Sequence, residues 1–379
     1  MYEGELIVEI KGIKYISPCM DNSGYAKAAR GNILALCKAG VPLTVQPISF
    51  ESARPDLGRE GEIIRSLINK KIDYNVVLTH TTPEFWAKYK EPGKLFCGYT
   101  IWETTKLHPD WIPYINDTAD VVLVGCEWNV DVFKESGITK PIFNVPHVLD
   151  TSLFNDATPF EIRGLDKNTF MFYSVMQFTE RKNPLATIKA YWQAFPDKEN
   201  VALVLKTYRC DYSEPEKETI RTTMKRLKAV CPAKNYPPIY LILDMLSEQE
   251  MTGLHARGDC YVSLDRGEGF GLGAAQSGAS GKPIIVTGFG GVTEYAKPDN
   301  SYLVNYVEVP VHGMPWSPWY LLEQNWAEAD QSHGAKLMRH VYENQEEAKA
   351  KGQKLKTYLK ENFSAEVIGQ KIIDAIRSI

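Results

Sequence analysis

Short apolar runs with strand character recur along the whole chain, separated by stretches with helical spacing, and this alternation limits the fold more than any other feature. The first series of strand candidates covers residues 14–16, 43–47, 75–79, 95–101, 121–124 and 142–145. A polar, turn-rich stretch at 150–170, "DTSLFNDATPFEIRGLDKNTF", interrupts it. The second series covers 170–175, 201–206, 239–243, 260–264 and 283–287. Most of these runs are continuously apolar rather than alternating, so they call for parallel strands covered on both faces. Between them, residues 183–195 carry Leu185, Ile188, Trp192 and Phe195 at helical spacing. Residues 247–257 open with Ser247 and Glu250, the spacing of a capping box. The expected architecture is α/β, with two Rossmann-like domains whose parallel sheets face a central cleft at their strand ends. The first domain is expected over 1–160 and is rejoined by an amphipathic closing helix at 364–379. The second is expected over 161–363.

Composition narrows the function classes. The 379 residues have a net charge of −4, which gives no electrostatic case for nucleic acid or an anionic membrane. Seven cysteines are scattered without a CxxC pair, the pattern of free thiols in a reducing compartment rather than of a zinc site. The opening "MYEGELIVEIKG" lacks a basic region followed by an apolar run, so no signal peptide is expected. No apolar run approaches the ~20 residues of a membrane span. A cytoplasmic chain is expected.

The most informative stretch is "SLDRGEGFGLGAAQSGASGKP", residues 263–283. A strand leads into Gly267, Gly269, Gly271 and Gly273, with Glu268 among them, and a helix is expected to start near Gly271. The first amide groups of a helix have no internal partner and its dipole is positive there, so an anion fits. Glycine also lets a ligand approach the backbone. A carboxylate would repel the same anion, so Glu268 should face hydroxyl groups instead. Phosphate together with polyol describes a nucleotide sugar. The competing reading is a tight turn whose glutamate is solvated.

"EGFGLGAAQSGASGKPIIVTGFGGVTEYA" resembles the signature region of family 4 retaining glycosyltransferases, which have the GT-B fold. "MQFTERKNPLATIKAYWQAF" is similar to the basic motif of that family. "DNSGYAKAARGNILAL" is similar to its N-terminal glycine loop, and "DVVLVGCEWNVDVFKESGITKPIFNVPHVLD" to the end of its first domain. "YTIWETTKLHPDW" resembles an acceptor-side segment. The match runs from about residue 14 to the C-terminus. Two positions depart from the pattern: Gln276 stands where the family has a second glutamate, and Gln177 where it often has an arginine.

The resemblance implies a transferase of the EC 2.4 class that moves a sugar from a nucleoside diphosphate sugar to a hydroxyl acceptor, carbohydrate, lipid-linked or other, with retention. It implies no cofactor and no metal, and the chain has no DxD pair. Arg181 and Lys182 would neutralise the donor diphosphate, with Gly24 approaching it from the first domain. Glu268 would bind donor-sugar hydroxyls, Gln276 the ribose, and the backbone of Met245 and Leu246 the base. Gly269, Phe270, Gly271, Leu272 and Glu294 would complete the donor site, with Lys206 at a strand end beside it. Glu103 would meet the acceptor hydroxyl; the other reading is a cap or salt-bridge residue. His80, His108 and His147 read as structural. Trp316, Trp319, Tyr320 and Trp326 belong either to a sugar-stacking surface or to a packed excursion. Three rivals stand beside this reading. One is a phosphorylase or epimerase of the same fold, although no pyridoxal-phosphate lysine context is present. The second is a GT-B-like binding subunit that has lost turnover. The third is a transferase acting on modified DNA.

Overall fold

The computed structural model describes residues 9–50, 57–196, 199–231, 233 and 235–379. Residues 1–8, which carry most of the leader reading, lie outside the described residues. The chain divides into two units. One runs to Asp150 and resumes at Glu361–Ile379; the other is Thr151–Lys360.

In the first unit the chain runs through β1 (Ile13–Ser17), α1 (Gly24–Lys38), β2 (Leu43–Pro47), α2 (Gly58–Leu67), β3 (Val76–His80) and β4 (Leu95–Tyr99). It continues through α3 (Trp111–Thr118), β5 (Val121–Val124), α4 (Glu127–Glu135) and β6 (Ile142–Asn144). All six strands are parallel, in the order β2-β1-β3-β4-β5-β6. The continuous apolar runs explain this: Val76, Val77, Leu78 and Val121 to Val124 are buried on both faces. The last helix of the chain, Ala365–Arg377, sets Ile368, Ile372 and Ile376 into this core at helical spacing.

The second unit begins with β7 (Phe170–Gln177), α5 (Pro184–Ala194), β8 (Val201–Tyr208), α6 (Glu214–Val230), β9 (Ile239–Ile242) and α7 (Glu248–Arg257). It continues with β10 (Cys260–Ser263), α8 (Leu272–Ala279), β11 (Ile284–Thr287) and β12 (Tyr302–Val304). The antiparallel pair β13 (Tyr306–Pro310) and β14 (Asn325–Ala329) follows, then α9 (Gln331–Glu343) and α10 (Gln345–Asn362). The six-stranded parallel sheet has the order β12-β11-β10-β7-β8-β9. On one face α5 and α9 pack Ile188, Trp192, Met338 and Val341 into an apolar core with Leu203 and Leu205. On the other, Tyr173 of β7 reaches Ser277 of α8 at 2.9 Å and His255 of α7 at 3.0 Å. The expected capping box is present: Ser247 accepts from the Glu250 amide and the Glu250 carboxylate accepts from the Ser247 amide. Among the described residues no helix is long and apolar enough to cross a membrane.

Candidate functional site

In an open parallel sheet the loops at the carboxyl ends of the strands form the natural ligand surface. In the second unit, the loops after β7 and β10 bring the sequence-predicted ions together. Lys182 Nζ is hydrogen-bonded to Glu268 Oε1. Arg181 Nη1 lies 3.7 Å from Glu268 Oε2 and donates to the Gly267 carbonyl at 2.7 Å. All three side chains are only 15–16 % exposed. One carboxylate thus bridges two cations at the head of α5. That helix begins with Pro184 at its first position, and Asn183 before it takes a left-handed conformation at φ 47°. A cation at a helix start meets the positive end of the dipole. The glutamate offsets that cost here.

The glycine run then turns into α8 through Gly271, whose φ of 81° favours a residue without a side chain. Tyr295 Oη donates to the Gly271 carbonyl at 2.7 Å. The Gly291 amide donates to the Glu268 carbonyl at 2.7 Å, tying the second glycine segment to the first. A Cβ on Gly291 would stand 2.1 Å from the Gly269 oxygen, so only glycine permits that approach.

Other expected residues fall at varying distances from this centre. Gln276 is half-buried on α8. Phe270 is buried, and Leu272 is half-buried at the first position of α8. Met245 is exposed and Leu246 half-buried in the loop after β9. Glu294 ends a short 3-10 turn, Gly290–Glu294, and its charge raises the pKa of Tyr358 after burial does. Lys206 is buried on β8, with its ammonium 4.9 Å from the Tyr212 ring and 5.9 Å from that of Tyr208. Burial pushes it down to about 8, with Asp244 opposing. Gln177 donates to the Arg209 carbonyl at 2.7 Å.

In the first unit, Gly24 is the exposed first residue of α1, which Ser23 caps through the Ala26 amide at 3.2 Å. Glu103 is half-buried after β4, and its charge adds to the rise in the pKa of Tyr25, which burial dominates. His80 and His147 sit in a buried ring cluster. His80 Nδ1 is 2.9 Å from Tyr15 Oη, and His147 Nδ1 is 3.0 Å from Tyr99 Oη. Burial keeps both imidazoles neutral, His80 well below its usual range and His147 at about 3. His108 Nδ1 accepts from the Asp110 amide at 3.1 Å.

Sequence reasoning gave no role to Asp265 and Arg266. Both are buried. Arg266 donates to the Glu180 carbonyl at 2.6 Å and to Glu328 at 2.7 Å, and it lies 5.6 Å over the Trp326 ring. This fixes β14 against the basic loop, with Trp326 buried, while Trp316 remains 60 % exposed. Asp265 accepts from Ser263 Oγ at 3.0 Å, and its other oxygen has no hydrogen-bond partner among the described residues. Burial, then the Glu268 charge, pushes its carboxyl upward. Their place directly after a strand and before a glycine run was visible in the sequence, but their burial was not. Among the described residues, no three His, Cys, Asp or Glu come together as a metal-ligand set.

No family model matches the chain. A curated relative, uncharacterized protein 356 of Sulfolobus islandicus rod-shaped virus 1, is 22% identical over 299 residues, covering 77% of this chain and 79% of the relative. Solved structures similar to this chain include the following three. Anabaena HepE in complex with UDP and glucose superposes with a TM-score of 0.66 at 12% identity, covering 97% of this chain and 100% of that one. Sucrose-phosphate synthase of Thermosynechococcus elongatus has a TM-score of 0.67 at 14% identity, with coverages of 96% and 97%. A trehalose-6-phosphate protein of E. coli bound with UDP-2-fluoro glucose has a TM-score of 0.68 at 12% identity, with coverages of 97% and 99%. The chain therefore has the expected α/β architecture, the GT-B fold with its two six-stranded parallel sheets.

Proposed function

We propose that the chain is a retaining glycosyltransferase of family 4 type, which moves a sugar from a nucleoside diphosphate sugar to an acceptor hydroxyl without a metal ion. The observation that carries this reading is the bridge from Glu268 to both Arg181 and Lys182 at the ends of β7 and β10. A trio of this kind, two cations against one carboxylate, can open around a ligand that is an anion at one end and a polyol at the other. Arg181 and Lys182 then take the diphosphate, and Glu268 turns to the sugar hydroxyls. In the step itself the bond from the anomeric carbon to the phosphate oxygen breaks. A bond to the acceptor oxygen forms on the same face, and the acceptor proton passes to the departing phosphate. Preorganised cations aimed at the departing charge supply the stabilisation.

Gly269, Phe270, Gly271, Leu272 and Glu294 would frame the donor, Gln276 the ribose, and the backbone of Met245 and Leu246 the base. Gly24 would serve the phosphates and Glu103 the acceptor. UDP in the HepE structure, and UDP-2-fluoro glucose in the E. coli one, support uridine nucleotides as the first donors to test. No disulfide joins the seven cysteines, which supports a cytoplasmic setting. A second reading, a nucleotide-sugar-binding subunit without turnover, is favoured by Gln177, whose amide is committed to a backbone carbonyl. The test is release of UDP from UDP-glucose, with and without hydroxyl acceptors, in the wild type and in Lys182→Ala. Turnover that Lys182→Ala abolishes supports transfer. UDP-glucose binding without release in either protein supports the second reading.

A further inference from the structure

We infer that Lys206 is a third cation for the diphosphate of the donor, presented from the end of β8 on a platform of two tyrosine rings. The inference rests on the nucleotide reading above and adds a residue and a charge to it.

The register fixes where Lys206 stands. Val175 of β7 pairs with Lys206 of β8, and Gln177 pairs with Tyr208. Paired residues of parallel strands point to the same face, and successive residues alternate. Tyr173, Val175 and Gln177 therefore share a face with Val204, Lys206 and Tyr208. This is the face on which Tyr173 bonds to Ser277 of α8. It is also the face on which a Cβ at Gly273 of α8 would come 3.0 Å from the Val175 carbonyl. Lys206 thus lies on the α8 side of the sheet, the side that carries Gln276. Its strand neighbours β7, whose carboxyl end leads directly into Arg181 and Lys182.

Its surroundings compensate its charge only through the longer-range field of Asp244. Lys206 is 5% exposed. Among the described residues its ammonium makes no hydrogen bond and no ion pair, and two ring faces are its nearest support. The rings of Tyr208 and Tyr212 stack with centroids 5.0 Å apart. Other charged groups nearby are engaged elsewhere: Asp244 with Lys217 at 2.6 Å, and Arg209 with Glu216 at 3.0 Å. The Gln177 amide holds the Arg209 carbonyl, which fixes the turn between the two tyrosines. A largely buried lysine with no hydrogen-bond partner among the described residues is costly alone and favourable beside an anion. Cation–π contact holds it in place without neutralising it. Gln177 therefore acts as a positioning residue, and the cationic role falls to Lys206 one strand away.

The inference makes UDP affinity depend on pH. Lys206 is pushed down to about 8 in the free protein, and an anion binds its protonated form. UDP affinity should be level near pH 7 and fall as pH rises above about 8, approaching tenfold per pH unit. The experiment is calorimetric titration of UDP from pH 7 to 9.5 into the wild type, Lys206→Met, Lys206→Arg and Lys182→Ala, with inorganic diphosphate at pH 7 in parallel. Lys206→Met should bind UDP about 10- to 100-fold more weakly at pH 7, with no fall above pH 8. Lys206→Arg should restore affinity and also abolish the fall, because guanidinium stays charged. Lys206→Met should melt no lower than the wild type, since it removes a desolvated charge that pairs with no carboxylate among the described residues. Unchanged affinity in Lys206→Met, or a wild type level from pH 7 to 9.5, overturns the inference. Sugar transfer that continues in Lys206→Met at the wild-type rate overturns it while leaving the transferase reading intact. Diphosphate binding that depends on Lys206, in a protein that transfers no sugar, upholds the anion site and removes the transferase reading.

Discussion

At the carboxyl end of the second sheet the partly and fully buried side chains are ionic: Arg181, Lys182, Glu268, Asp265 and Lys206. Toward the same end of the first sheet a cluster of neutral rings, Tyr15, Tyr99, His80 and His147, is joined by hydrogen bonds and ring contacts, with Asp21 and Arg30 buried in the loop after β1 and in α1. The two sheets share strand number and parallel sense, so topology does not account for the contrast. What differs is which charges each site can keep. In the second unit opposite charges meet in a half-buried place, Glu268 against Arg181 and Lys182. In the first, burial drives both imidazoles to the neutral form. The first pattern suits a polyanion with a polyol attached. The second offers hydroxyl and imidazole groups at fixed positions without net charge.

The sharpest way to break the ionic end is Lys182→Ala. It should slow transfer by about 100- to 1,000-fold, the cost of removing one preorganised charge-stabilising group, and weaken UDP binding, as read by initial rates and titration. Glu268→Ala attacks the same trio from its other side. It should also cut transfer strongly, yet UDP should bind as well as before or more tightly, because both cations lose their competing carboxylate. If UDP affinity falls equally in both variants, the bridge is a structural tie rather than a site waiting for a ligand.

The parallel sheets were legible in the sequence because each strand is a continuous apolar run, as at Val121 to Val124. The hairpin of β13 and β14 was not: β13 is largely exposed and ends in Pro310, so it shows neither a continuous run nor a buried face. Arg181, Lys182 and Glu268 were each legible as chemistry. Their union was not, because 86 residues separate Lys182 from Glu268 and only the register of β7 beside β10 brings them together. Asp265 and Arg266 look like a solvated turn. They are buried because Glu180 and Glu328 converge on the arginine, a long-range fact. Lys206 was visible at a strand end, but its platform depends on how the turn at Arg209 folds back.

The neutral end can be tested by acid. An unfolded imidazole takes its proton near about 6.5, whereas folded His147 resists until about 3. The unfolded chain therefore binds more protons between those values. The contribution is complete above about 6.5 and is lost progressively as pH falls toward 3, by about 1.4 kcal/mol per pH unit for each such histidine. His80 adds in the same direction. Urea unfolding followed from pH 7 to 4 should show stability falling with acid, and His147→Gln should flatten that slope. Lys182→Ala should leave it as steep as in the wild type. A slope unchanged in His147→Gln would mean that the imidazole is already charged in the folded protein, and the contrast between the two sheet ends would fail.

The smallest expected effect concerns Gln276, the uncharged member of the ionic end. Its side chain is half-buried on α8, one turn beyond the glycine loop. If it reads the ribose, Gln276→Ala should weaken UDP and UDP-glucose alike, by about 3- to 10-fold for a neutral hydrogen bond. Glu268→Ala should instead separate the two ligands, since only UDP-glucose carries the sugar. Gln276→Glu introduces a charged acceptor, and such hydrogen bonds are stronger, so ribose binding should tighten by a few-fold. That gain is opposed by repulsion from the diphosphate, which Arg181, Lys182 and Lys206 together screen. The balance is readable by titrating UDP into Gln276→Glu alone and combined with Lys206→Met. Removing one cation should turn a modest gain into a loss. An equal gain in both backgrounds would place Gln276 too far from the phosphates to sense them, and the ionic end would then stop short of α8.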